Sequence, residues 1–151
     1  MTIRSANVHW EGQGKKGKGK ISSESGALNL APYGFASRVE DDCRGTNPEE
    51  LLGAAHAACF TMAFSFACDK AGFETSDIDT KASVSLTKKD DGLFIDGISL
   101  TMRATVPGID DDKFQEIAAA AKRDCPLSKA LASVPKITLL ASLRQLAPQS
   151  E

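Results

Sequence analysis

The chain has 151 residues, of which 42% are apolar and 25% charged, and a net charge of −2. This is the balance of a soluble globular protein, and the length is that of one domain able to bury a core. The near-neutral charge excludes a general electrostatic footprint for nucleic acid.

The opening MTIRSANVHWEG carries no apolar run and no small-residue cleavage site, so no export is expected and the expected compartment is the cytoplasm. Four cysteines in such a chain read as reduced thiols with chemical or core roles, rather than as a disulfide framework. SANVHWEG and GKGKISS flank a Gly/Lys turn and predict a β-hairpin, and YGFASRVE predicts a further strand. Lys15, Lys16, Lys18 and Lys20 alternate with glycine in that turn, which reads as a solvated turn rather than a phosphate-binding patch. After the polar loop DDCRGTN, Asn47 is the expected N-cap of a helix. Pro48 is its first residue, Glu49 and Glu50 complement its dipole, and Gly72 stops it after about Lys70. Ala82, Val84 and Leu86, then Ile98, Leu100, Met102, Ala104 and Val106, alternate with polar residues on either side of the KKDDG turn. They predict an antiparallel meander with an irregularity at Asp96-Gly97. Asp110 to Lys122 predicts a second helix with Phe114, Ile117, Ala118 and Ala121 on one face. Pro126 opens a short third helix, Lys136 to Leu146 predicts a final strand, and APQSE reads as a frayed tail. The order of elements is α+β.

Leu51 to Cys68 contains no charge over eighteen residues, the lower limit for a membrane span. Its alanines with Gly53, His56, Thr61 and Ser65 leave it weakly hydrophobic, and Glu49 and Glu50 precede it, so it reads as a buried helix of a soluble protein. At 1.5 Å per residue the whole helix from Pro48 to about Lys70 is ~35 Å long, scarcely shorter than the domain is wide. Being apolar nearly all round, it must be covered on more than one side. The sheet of one chain covers one side, so a homodimer is expected.

Cys59 lies mid-helix among small residues, where core packing and chemistry are both open. Cys125 lies at a helix mouth, facing unpaired backbone N–H groups and the positive end of the dipole. Cys68 cannot pair with Cys59, since nine residues along a helix give ~180° of rotation and ~13 Å of rise; it reads as core. Cys43 sits in the polar loop and reads as exposed and incidental. His56 and Cys59 share a helical face, so a metal site with Cys125 as third ligand is an alternative, although no CxxC pair accompanies them.

HWEG, GKGKIS, SGALN, PYGFASR, GTNPEELLGAAHAACFTMAFS and CPLSKAL, in that order along essentially the whole chain, resemble the OsmC/Ohr family of thiol peroxidases, and HWEG with GAAHAACF resembles its OsmC branch. The resemblance implies a single OsmC-like domain over residues 1–151, with curved antiparallel sheets around two central helices in an intertwined homodimer. It implies that Cys59 is the peroxidatic cysteine, Cys125 the resolving cysteine, Arg38 the activator of the thiolate and Glu49 the holder of that arginine. It further implies organic hydroperoxides as substrates, with hydrogen peroxide a weaker one, and no cofactor. The implied reductant is an external dithiol, which in Ohr relatives is a dihydrolipoyl protein. Cys43 and Cys68 depart from the family pattern. A redox sensor, or a metal-binding module using the same Cys and His residues without turnover, is the competing reading.

Those roles meet the physical requirements. A thiol with an ordinary pKa of ~8.5 is only about 3% ionised at neutral pH, and lowering it to ~6 takes roughly 3.4 kcal/mol. An arginine at ~4 Å supplies up to ~4 kcal/mol at an effective dielectric of ~20. Its planar fork holds a carboxylate while keeping another N–H for sulfur or peroxide oxygen, which lysine cannot reproduce. Phe60, Met62 and Phe64 are candidates for an apolar wall around the organic part of the substrate.

Overall fold

Strand and helix signals alternate along the chain as the sequence predicts, with two exceptions. The structure, a computed structural model, describes residues 1–41 and 44–144. It divides into two compact units, Met1–Leu51 and the chain from Leu52 onward.

In the first unit β1 (Ala6–Glu11), β2 (Lys18–Ser23) and β3 (Ala31–Tyr33) form an antiparallel sheet in that order. The Gly/Lys turn contains a single 3-10 turn at Gly14–Lys16, and Lys15 Nζ lies 5.1 Å from the centre of the Phe35 ring. With Lys16, Lys18, Lys20 and Arg44 it borders an open cleft floored by Tyr33 and Phe35. The rings of Trp10 and Tyr33 cover Gly17 and Gly19, where any side chain would collide with them. The first exception follows β3. The strand expected over YGFASRVE ends at Tyr33, and FASRV forms a short helix, α1 (Phe35–Val39). Ser37 is the cause: its Oγ accepts from Gly34 N at 3.0 Å and lies within hydrogen-bonding distance of the carbonyls of Gly34 and Thr46, at 3.0 and 2.7 Å. A hydroxyl that satisfies helix-end groups in this way competes with the sheet ladder.

Helix α2 (Pro48–Lys70) begins where Asn47 was expected to cap it, with Asn47 Oδ1 accepting from Glu50 N at 2.8 Å. It ends at Gly72 (φ +90°), where Phe73 N donates to Cys68 O at 2.9 Å. By length and composition α2 is apolar enough to cross a membrane. One face is nevertheless packed: Phe60, Phe64 and Cys68 are fully buried with residues of β5 (Gly92–Thr105) and α3 (Asp111–Asp124). Phe64 meets Phe114 edge-on at 5.5 Å.

The second unit holds the sheet β4 (Asp77–Lys89), β5 and β6 (Ile137–Leu143), in that order. β4 and β5 pair antiparallel across Asp90, which takes the left-handed conformation tolerated by aspartate. The irregularity expected at Asp96-Gly97 is a bulge: Leu86 pairs with Ile95 and Ser85 with Gly97, while the Asp96 carboxylate accepts from Thr87 Oγ1 at 2.7 Å. The second exception is β6, which runs parallel to β5, so this sheet is mixed rather than wholly antiparallel. A parallel return needs a crossover, supplied by α3 and α4 (Pro126–Ala130). Asp110 caps α3 by accepting from Lys113 N at 2.8 Å, and the buried face of α3 is Phe114, Ile117, Ala118 and Ala121, as the periodicity predicts. The end expected for the last strand, beyond residue 144, and the APQSE tail lie outside the described residues.

Phe64 stands between Phe60 and Phe114, so Phe64→Ala should leave a cavity and lower the unfolding free energy by about 3–5 kcal/mol, with an unchanged denaturant slope. Denaturant titration followed by circular dichroism checks this.

Candidate active site

In the first unit, the N-terminus of α2 and the helix α1 are tied together by side chains. Asn47 Nδ2 donates to Ser37 O at 3.0 Å, Thr46 N donates to Pro32 O at 2.9 Å, and Gly45 (φ +116°) lies so close to Pro32 O that a Cβ would come within 2.6 Å of it. Only glycine combines that conformation with that approach. The fold thereby brings Arg38, near the end of α1, onto Glu49, in the first turn of α2. Arg38 Nε donates to both Glu49 oxygens at 3.1 and 3.0 Å, and Nη2 donates to Oε1 at 2.6 Å. Glu49 is 7% exposed, so its carboxylate depends on this partner, whereas Arg38 Nη1 takes no part in the pair. The bonds to Glu49 push the guanidinium pKa up, against desolvation. The pair predicted from sequence is therefore formed, although Arg38 reaches it from a helix and not from a strand.

In the second unit, Cys59 on α2 and Cys125 at the α3–α4 junction are free thiols of one cluster, close enough for Cys125 to bear on the ionisation of Cys59. Cys125 caps α3, its N–H donating to Ala121 O at 3.0 Å, while its carbonyl accepts from Lys129 N at 3.1 Å. Cys125 is fully buried and Cys59 half-buried. Burial pushes the Cys59 thiol up, and its contact with Cys125 pushes it further; the backbone N–H of Leu127, in the first turn of α4, donates to the sulfur and opposes both. The mouth of α4 thus serves the sulfur of Cys59 through Leu127.

One turn before Cys59, His56 is completely buried. Its Nε2 lies 2.9 Å from Ser128 Oγ, and Nδ1 has no hydrogen-bond partner among the described residues. A buried lone pair left bare costs less than a buried orphan N–H, so Nε2 carries the proton and donates to Ser128. Burial lowers the His56 pKa. The sequence singled out His56 only as a metal ligand; its better signal was a polar ring on an otherwise apolar helix, which needs a partner. Among the described residues, no three His, Cys, Asp or Glu side chains gather into a metal site, so the His56–Cys59–Cys125 ligand set is not formed.

Cys68 lies in the core, where burial pushes its thiol up to about 11. Such a thiol is inert at neutral pH. Cys43 lies outside the described residues. Of the three apolar candidates for a substrate wall, Phe60 and Phe64 are fully buried in the core, and Met62 is 57% exposed.

Residues 40–140 match the family model for OsmC-like proteins. The chain is 53% identical over 132 residues to the peroxiredoxin OsmC of Escherichia coli, an alignment covering 87% of this chain and 92% of that one. It is 34% identical over 113 residues to the organic hydroperoxide resistance protein OhrB of Bacillus subtilis, covering 74% and 80%. The crystal structure of OhrB superposes with a TM-score of 0.66 at 30% identity, covering 93% of this chain and 98% of that one. An OsmC-like protein of Mycoplasma pneumoniae shares the fold, with a TM-score of 0.74 at 14% identity over 95% and 99% of the two chains.

The burial of His56 has a consequence for stability. Its folded pKa lies below the ordinary value near ~6.5, so the unfolded chain takes the proton first. The stability tied to neutral His56 is complete above about pH 6.5 and is lost as pH falls through the lower folded value. Denaturant midpoints measured from pH ~7 to ~5 should fall more in the wild type than in His56→Gln, which carries no such titration.

Proposed function

The chain belongs to the OsmC family, and from that premise we propose that it is a thiol peroxidase reducing organic hydroperoxides, and hydrogen peroxide less well, with Cys59 as attacker and Cys125 as resolver. The observation that carries this is that two free thiols far apart in sequence lie close enough for one to bear on the ionisation of the other, with a backbone N–H favouring the thiolate. The names of the relatives, a peroxiredoxin and an organic hydroperoxide resistance protein, agree on the substrate class.

The Cys59 thiolate attacks the distal oxygen of the peroxide. The O–O bond breaks, the alkoxide leaves and takes up a proton as alcohol, and Cys59 becomes a sulfenic acid. Cys125 condenses with it to a disulfide, releasing water and protecting the sulfur from further oxidation. An external dithiol reopens the disulfide by exchange, which suits the reducing cytoplasm. Burial opposes the thiolate that starts this cycle, and one N–H offsets only part of that opposition. We assign the remainder to Arg38. Glu49 fixes its fork through Nε and Nη2, which supports a role in which another N–H serves sulfur or peroxide oxygen.

The working form is a homodimer. Ala54, Ala58, Met62 and Phe66, spaced four apart on α2, form an exposed apolar stripe, with Met62 57% and Phe66 65% exposed. A second copy covering this stripe is its simplest partner.

One equivalent of cumene hydroperoxide added to the reduced protein should remove two hydrogens and yield a linked Cys59–Cys125 peptide by intact mass and non-reducing mapping. A bond through Cys43 or Cys68, or no mass change, contradicts the proposal. Arg38→Lys should keep the fold and lose most peroxide reactivity, on the order of 10²-fold by loss of a few kcal/mol of charge stabilisation; near-normal turnover removes the arginine from the mechanism. Phe66→Glu should shift the mass in light scattering at micromolar concentration from dimer to monomer.

A further inference from the structure

Building on the assignment of Cys59 and Cys125 above, we propose that His56 and Ser128 form a latch that seats α4 on α2, setting the position from which Cys125 resolves the Cys59 sulfenic acid. Both are positioning residues for that step. In it the S–O bond of the sulfenic acid breaks and an S–S bond forms, and the departing hydroxide leaves as water with the Cys125 proton. A disulfide closes only when the Cα atoms lie within roughly 4.4–6.8 Å and the Cβ vectors converge. The resolving rate therefore depends on how firmly Cys125 is held.

One side of Cys125 is firmly held. Its N–H closes the last turn of α3, which is anchored by Phe114, Ile117, Ala118 and Ala121 in the core. The other side leads into α4, a helix of five residues with no fully buried side chain. So short a helix is not stable by itself. Leu127 and Leu131 pack against the core from it, and Ser128 supplies the directional contact, 2.9 Å from His56 Nε2.

His56 is an expensive residue for packing alone. An aliphatic side chain of similar volume would fill the site without burying two ring nitrogens, of which Nδ1 has no hydrogen-bond partner among the described residues. What an aliphatic chain lacks is the donor to Ser128. The placement fits this role: His56 lies one turn before Cys59 on the same face of α2, and Ser128 follows directly on Leu127, whose backbone N–H favours the Cys59 thiolate. A tilt of α4 that breaks the latch carries away the N–H and loosens Cys125 together.

Single-turnover oxidation with one equivalent of cumene hydroperoxide, with dimedone trapping of sulfenic acid and intact mass for the disulfide, tests this. Ser128→Ala and His56→Leu should slow disulfide closure roughly five- to tenfold, the worth of one buried hydrogen bond, so that trapped sulfenic acid accumulates. Ser128→Thr, which retains the hydroxyl, should restore closure to within about twofold, and His56→Gln, which places an amide N–H near Nε2, should do so for its own site. Closure at the wild-type rate in Ser128→Ala overturns the latch. Closure no faster in Ser128→Thr than in Ser128→Ala also overturns it, by reducing the site to packing. Should Ser128→Ala fail to fold by circular dichroism, the His56→Leu and His56→Gln pair is read in the same way. Cys125→Ser, run in parallel, should form sulfenic acid and never close. If it forms a disulfide instead, the resolver assignment fails independently of the latch.

Discussion

Partial burial of the Cys59 sulfur is the constraint its surroundings answer to, because a thiol shielded from water resists ionisation. Two neighbouring elements respond to that constraint. Helix α2 holds the sulfur where solvent is scarce, and the junction of α3 and α4 brings a backbone N–H and a second thiol to it. The N–H favours the charged form, and the Cys125 contact favours the neutral one. In the first unit, the nearly buried Glu49 carboxylate leaves the Arg38 guanidinium little freedom to wander.

The same helix explains much of the fold. After its first turn α2 carries few polar side chains, His56, Thr61 and Ser65 before the closing Asp69 and Lys70, so it offers apolar surface on more than one side. Gly53 lets it approach β4, where a Cβ would sit 3.4 Å from Val84 Cγ2. Phe60, Phe64 and Cys68 fill the core on the packed side, and Met62 and Phe66 remain outside. The composition of α2 is apolar on more than one side, and the core takes up the side of Phe60, Phe64 and Cys68. His56 is a fully buried polar side chain of α2, and its hydrogen bond with Ser128 links this helix to α4.

Much of this was legible before any coordinates. Asn47 and Pro48, the Gly72 stop, the alternating faces of β4 and β5, the Asp96 bulge and the buried face of α3 follow from local stereochemistry and hydrophobic period, which neighbours in sequence largely determine. The α+β class follows from their order, and Cys59, Cys125, Arg38 and Glu49 were named from motifs. Where local rules competed, the reading failed: PYGFASR has strand composition, but Ser37 turns FASRV into a helix through bonds to Gly34 and Thr46. The parallel direction of β6 was hidden too, because strand direction is set by the path of the crossover and not by the residues of the strand.

The sequence by itself determined the elements, the nucleophile candidates and the apolar character of α2, because each rests on residues within a few positions of one another. Helix geometry already set Cys68 aside as a partner of Cys59; the tertiary structure alone decided that the backbone N–H of Leu127 bears on the Cys59 sulfur and that His56 finds Ser128. Those contacts join segments separated by the whole second sheet hairpin, and no spacing rule reaches across it. They exist because burying the faces of α2 and α3 in one core leaves a single place for the short helix between them and β6.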